Sequence, residues 1–146
     1  MSFLLDTNVI SEWVKPRPDP HVIEWLAEVD EDRTFLSVAS FAEIRRGIEL
    51  LPHAQRRSRL TRWLEEELPS RFEGRILPID RRIAEAWGVL TVRAQRAGAT
   101  TASIASMDAF FAATAEIHHL TLVTRNTKDF AALAVPLLDP WIDQPI

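Results

Sequence analysis

Phe3-Leu4-Leu5-Asp6-Thr7-Asn8 is a short apolar run that ends on an acid and two residues suited to turns and helix caps. It reads as a buried strand running into a helix. Val9, Ile10, Trp13 and Val14 give that helix an apolar side. Pro16-Arg17-Pro18-Asp19-Pro20 stops it, because each proline removes a backbone donor. Pro20 then suits the first turn of a second helix, with Val22, Ile23, Trp25, Leu26 and Val29 as its apolar face. Thr34-Phe35-Leu36-Ser37-Val38 reads as another strand. Ser40 is expected to cap the helix that follows, with Glu43 three residues on in a capping-box relation.

The same alternation continues. Leu60, Trp63, Leu64 and Leu68 have helical spacing, Arg75-Ile76-Leu77-Pro78-Ile79 is a third strand candidate, and Asp80 is placed to cap a long helix that Gly98 can end. A loop through Thr100, Thr101 and Ser103 leads to a further helix containing residues 107–115. Leu120-Thr121-Leu122-Val123-Thr124 is the clearest strand. Val135-Pro136-Leu137-Leu138 reads as a last, edge strand, where proline is tolerated. Short apolar runs alternating with helices predict one α/β domain over residues 1–146, with a parallel-rich central sheet flanked by helices.

The chain has 146 residues and no cysteine, which excludes disulfides, thiolate zinc sites and thiol catalysis. The run 131–138 is too short to span a membrane, and no basic residue precedes the first apolar stretch, so a cytoplasmic protein without membrane contact is expected. Four glycines, at 47, 74, 88 and 98, form no phosphate-cradling loop. With 17 Lys+Arg against 21 Asp+Glu the net charge is −4, so the chain does not hold nucleic acid simply by being basic. The positive charge is uneven. Arg45, Arg46, Arg56, Arg57, Arg59 and Arg62 fall close together, and arginine favours bidentate contact with phosphate. A solvated helix face is the competing explanation, in which neutralising Arg56, Arg57 and Arg59 leaves any phosphate or nucleic-acid affinity unchanged.

Ligands of open α/β sheets bind beyond the carboxyl ends of the strands. Asp6 follows the first strand there, and Asn126 and Asp129 follow the strand at 120–124. Glu43 lies about a turn into the helix after the second strand, and Asp108 near the start of the helix preceding that at 120–124. Four carboxylates in one cleft repel one another unless cations sit between them. Hard divalent cations suit such oxygen donors, and magnesium or manganese retains waters that a phosphate can replace. Taken singly, Asp6, Glu43 and Asp129 could each be only a cap or a solvated acid. Asp108 stands in an Ala- and Phe-rich helix whose face looks buried, where an unpaired carboxylate is costly.

Leu4-Leu5-Asp6-Thr7-Asn8-Val9-Ile10-Ser11-Glu12 resembles the opening of PIN-domain proteins, specifically the VapC-type ribonuclease toxins. Ala42-Glu43-Ile44-Arg45-Arg46-Gly47-Ile48, residues 107–115 and residues 122–130 are similar to the family's later motifs, in family order. The resemblance implies a single PIN domain and a magnesium-dependent endoribonuclease (manganese being an alternative ion) that hydrolyses RNA by metal-activated water. It carries the acidic set over to Asp6, Glu43, Asp108 and Asp129, with Asp6 and Asp108 as leading metal ligands and Asn126 and Thr124 as polar support. It also implies a cognate antitoxin that covers the site, and a toxin homodimer. Arg45, Arg46, Arg125 and Lys128 are the candidate RNA contacts beside the acids.

Two other readings remain at this point. A catalytically idle PIN-like module could use the acidic cleft to bind a basic partner peptide. An aspartyl-phosphate phosphatase would place a second Asp two positions after the first, where this chain has Asn8. Asp80 is read as a helix cap rather than a fifth site acid. His118 and His119 are adjacent, point about 100° apart on a helix, and cannot chelate together. The five tryptophans are read as core or interface residues, some of which could line a groove for an antitoxin helix.

Overall fold

The computed structural model describes residues 1–98 and 107–142. The loop expected through Thr100, Thr101 and Ser103 lies outside the described residues. Strand β1 (Phe3–Leu5) leads into helix α1 (Thr7–Ile10), whose N-cap is Asp6, and a 3-10 turn over Ser11–Val14. Helix α2 (Pro20–Glu28) is capped by Asp19, whose carboxylate accepts from the His21 amide. Strand β2 (Thr34–Ser37) and helix α3 (Val38–Glu49) follow. Helix α4 (Ala54–Arg62), a π-helical turn (Trp63–Glu67) and helix α5 (Leu68–Arg71) run in series through the stretch where Leu60, Trp63, Leu64 and Leu68 have helical spacing. Then come strand β3 (Ile76–Leu77), helix α6 (Arg81–Arg96), helix α7 (Asp108–His118), strand β4 (Thr121–Val123), helix α8 (Thr127–Phe130) and strand β5 (Leu137–Leu138).

All five strands are parallel, in the order β3-β2-β1-β4-β5. The chain moves outward on one side through β2 and β3, then returns to lay β4 and β5 on the other side of β1. The switch point therefore falls between β1 and β4, where open α/β sheets hold their ligands. Leu5 pairs with Val123 across that boundary, so Asp6 and Thr124 emerge level with each other at the carboxyl edge.

Side chains alternate across a strand, and β1 feeds two cores accordingly. Phe3 and Leu5 join Trp25, Leu36, Leu64 and Phe72 on one face, while Leu4 joins Ile83, Leu90, Phe111, Leu122 and Phe130 on the other. Trp25 meets Phe3 edge-on at 5.2 Å, and Trp87 of α6 stacks on Phe110 of α7 at 5.6 Å. Asp80 accepts from the Ile83 amide at 3.0 Å, which confirms it as the cap of α6, and Gly98 follows that helix with φ +98°. His119 ends α7 in the left-handed conformation, so it serves as a helix terminus. Ser40 does not cap α3. The helix starts earlier, with Ser37 accepting from the Ala39 amide at 3.0 Å, which leaves Ser40 buried inside it and Glu43 outside any capping box. Among the described residues no helix is long and apolar enough to cross a membrane.

Candidate active site

Asp6 stands at the centre of the carboxyl edge and is 4% exposed. Its backbone N–H donates to the Val123 carbonyl at 2.9 Å, which continues the β1–β4 ladder one step beyond the strands. Its Oδ1 accepts from the Thr7 amide at 2.7 Å, and its Oδ2 from the buried Thr124 hydroxyl at 2.7 Å. The Asn8 amide approaches both Asp6 Oδ2 and Thr124 Oγ1 at 3.4 Å, and Asn8 Oδ1 accepts from the Arg125 backbone N–H at the same distance. Thr124 Oγ1 also accepts from the Asn126 amide at 3.0 Å. Asp6 is therefore a cap and more than a cap, because one carboxylate oxygen caps α1 while the other is held by Thr124, the residue that follows β4.

Burial above all, opposed by the hydrogen bonds from Thr124 and Thr7 and helped by the charges of Asp108 and Glu43, pushes the Asp6 carboxyl up from 3.8 to about 6. These couplings show which acids share the cleft. Glu43, half-buried on α3, accepts from the Thr7 hydroxyl at 2.6 Å, and that hydroxyl lies 3.0 Å from Ser40 Oγ. Thr7 thus ties the second acidic motif to the first across 36 residues of sequence. Asp108, half-buried, is the first residue of α7. Asp129 is exposed on α8, after β4, and Asn126 is exposed just before it. Two predicted acids, Glu43 and Asp108, act on a third, Asp6, while Asp129 is exposed on α8 beyond β4.

Among the described residues no three His, Asp or Glu side chains form a ready-made cation cage. What the geometry supplies is a buried carboxylate whose ionised form is disfavoured by burial and by two neighbouring carboxylates. A hard cation is the species that would reverse that penalty, and the oxygen-only donor set fits magnesium or manganese.

The predicted basic contacts separate in space. Arg45 is engaged with Glu65 at 2.8 Å and Glu49 at 3.6 Å, linking α3 to the π-helical turn, whereas Arg46 is exposed. Arg125 lies over the Trp141 ring at 5.4 Å, and Lys128 is exposed on α8.

Sequence reasoning did not assign roles to Thr7, Ser37 or Glu12. Glu12 is 2% exposed, accepts from the Asp19 amide at 2.8 Å and pairs with Lys15, fixing the proline-rich turn after α1. Thr7 and Glu12 lie within the motif at 4–12, but only the fold shows what they touch.

A five-stranded parallel sheet with a buried acid at its β1–β4 switch point places the chain among α/β scaffolds whose site lies at the carboxyl edge of the sheet. Among these, the chain belongs to the PIN domain family, whose match covers residues 3–136. Toxin FitB of Neisseria gonorrhoeae is 39% identical over 140 residues, covering 96% of this chain and 99% of FitB. VapC ribonuclease Y4jK of Sinorhizobium fredii is 34% identical over 138 residues, covering 94% of this chain and 96% of its own. Among solved structures, FitAcB from Neisseria gonorrhoeae superposes with a TM-score of 0.88 at 37% identity, over 97% of this chain and 99% of that one. A toxin–antitoxin complex from Klebsiella pneumoniae gives a TM-score of 0.66 at 28% identity, over 95% and 98% of the two chains.

Proposed function

We propose that this chain is the toxin of a toxin–antitoxin pair and acts as a magnesium-dependent endoribonuclease. The observation that carries the reading is the buried Asp6 carboxylate at the switch point, coupled to Glu43 and Asp108. The full-length similarity to proteins named as a toxin and as a VapC ribonuclease supports it. Asp6, Glu43, Asp108 and Asp129 are the residues that would hold the cation. When bound, magnesium supplies neutralising charge for the phosphate and acidifies a water.

The chain's own residues do the rest. Thr124 and the Thr7 amide hold the Asp6 carboxylate in one orientation, and the Thr7 hydroxyl does the same for Glu43. A carboxylate of the set takes the proton from the attacking water. The new P–O bond forms as the P–O bond to the departing ribose oxygen breaks, and that oxygen acquires a proton. Arg46, Arg125 and Lys128 are the cations assigned to meet the phosphate backbone in this reading. A cognate antitoxin covering this edge follows from the likeness to a toxin–antitoxin complex, and a homodimer belongs to the same proposal.

The test is cleavage of total RNA by the purified chain with magnesium, with chelator, and by Asp6→Asn and Asp108→Asn variants of verified fold. Cleavage that needs magnesium and is lost in both variants is expected. Undiminished cleavage by both variants would remove the site assignment, and no RNA turnover under any divalent cation would favour the idle peptide-binding module.

A further inference from the structure

The structure divides the arginine cluster of residues 45–62, leaving Arg46 exposed on α3 and separating the other five into two groups. Arg45 is committed to Glu65 and Glu49, and Arg57 donates to the Leu51 carbonyl at 3.1 Å. Arg56, Arg59 and Arg62 have no ion-pair partner among the described residues, and all three line a cavity of about 770 Å³ on α4, with Glu67 as its only carboxylate. A second cavity, of about 290 Å³, reaches Thr7 and Glu43 of the acidic site. The two share Val14, Arg56, Leu60 and Trp63 as walls, so they adjoin and run from Glu43 into the arginines.

The geometry points to a path for single-stranded RNA along this trough, with Arg56, Arg59 and Arg62 holding backbone phosphates and Trp63 stacking a base beside them. The inference rests on the ribonuclease reading and adds to it where the strand lies once it leaves the acids. Three free guanidiniums against Glu67, with Glu43 at the acidic end, match a polyanion. A half-buried indole between them and the acids adds the stacking surface that single-stranded nucleic acids use. Trp63 sits where α4 gives way to the π-helical turn, and its ring also packs against the core around Leu60 and Leu64, which fixes it as a wall. The net charge of −4 makes such a local track necessary, because the molecule as a whole does not attract RNA.

The experiment measures binding of a fluorescein-labelled 12-nucleotide single-stranded RNA of mixed sequence to the full chain carrying Asp108→Asn, across a salt series. Adding Arg56→Gln, Arg59→Gln and Arg62→Gln should make the slope of log affinity against log salt shallower by about 2. The affinity gap between the two proteins should thus grow about a hundredfold from 1 M to 0.1 M salt. Arg33→Gln, Arg81→Gln and Arg82→Gln together change the net charge equally and should leave the slope near that of the parent. Trp63→Leu should weaken binding about 5- to 150-fold, and Trp63→Phe should retain most of it. Denaturation curves confirm that each variant is folded.

Equal slopes for the two triple variants would overturn the path. So would intact RNA binding combined with lost binding of an antitoxin, which would make the trough a peptide groove. Wild-type cleavage of the same RNA is followed in parallel. Arginine-dependent binding without cleavage would leave the track standing while the ribonuclease reading fails. Cleavage with no dependence on the arginines would do the reverse.

Discussion

Asp6 carries two duties that oppose each other, since it caps α1 and yet is buried beside two other acids. Its folded-state value of about 6 lies above 3.8, so the native state binds a proton more tightly than the unfolded chain. Stability should therefore fall as pH rises from about 4 through about 6, and Asp6 should contribute an unfavourable term, at most about 3 kcal/mol, above that window. Asp6→Asn is accordingly expected to be more stable than the wild type above pH 6 in chelator, with the difference vanishing below pH 4. Urea denaturation across pH checks this, and a gap that widened towards acid would sink the burial account. Thr124→Val removes the 2.7 Å bond that favours the ionised carboxylate. It should raise the Asp6 titration midpoint, read by carboxyl NMR, and cost about 1–2 kcal/mol of stability. Single residues were partly legible in the sequence. The identity of the acids could be read from their motifs, but the Thr7–Glu43 bond could not, because nothing local signals a partner 36 positions away.

Helix ends show where local chemistry is decisive and where it is ambiguous. Asp80 could be read as a cap because it precedes a long periodic stretch, and its carboxylate does accept from the Ile83 amide of α6. Asp80→Ala should cost about 1 kcal/mol by thermal or urea denaturation and leave any RNA cleavage rate unchanged, which separates it from the site acids. Ser37 and Ser40 are both plausible caps for α3, and the pattern Ser40-x-x-Glu43 favoured the wrong one. Sheet register settled the matter: Ser37 pairs with Leu77 as the last residue of β2, so the chain has to turn there. Ser37→Ala should cost about 1–2 kcal/mol, because the bond it removes is buried, and Ser40→Ala should cost less. The π-helical turn after α4 was hidden for a similar reason, since a one-residue widening of a helix barely changes its apolar periodicity.

The whole molecule is two apolar layers joined through one central sheet, with β1 contributing to both. Leu4 and Leu5 are neighbours in sequence, fully buried, and belong to opposite layers. Leu4→Ala and Leu5→Ala should each cost about 2–5 kcal/mol. Trp25 reports one layer and Trp87 the other, so in single-tryptophan versions both should unfold at one denaturant concentration. Separate midpoints would show that the layers are independent. The sequence by itself determined the α/β class, the strands and most helices, and the acidic positions, because these rest on local periodicity, capping chemistry and short motifs. Only the tertiary structure decided that β4 pairs with β1, that Glu43 and Asp108 both act on Asp6, and that Arg56, Arg59 and Arg62 line a cavity next to the one that reaches Glu43. Strand order and the partition of charges into paired and free depend on contacts between residues far apart in the chain, and a local pattern carries no record of those.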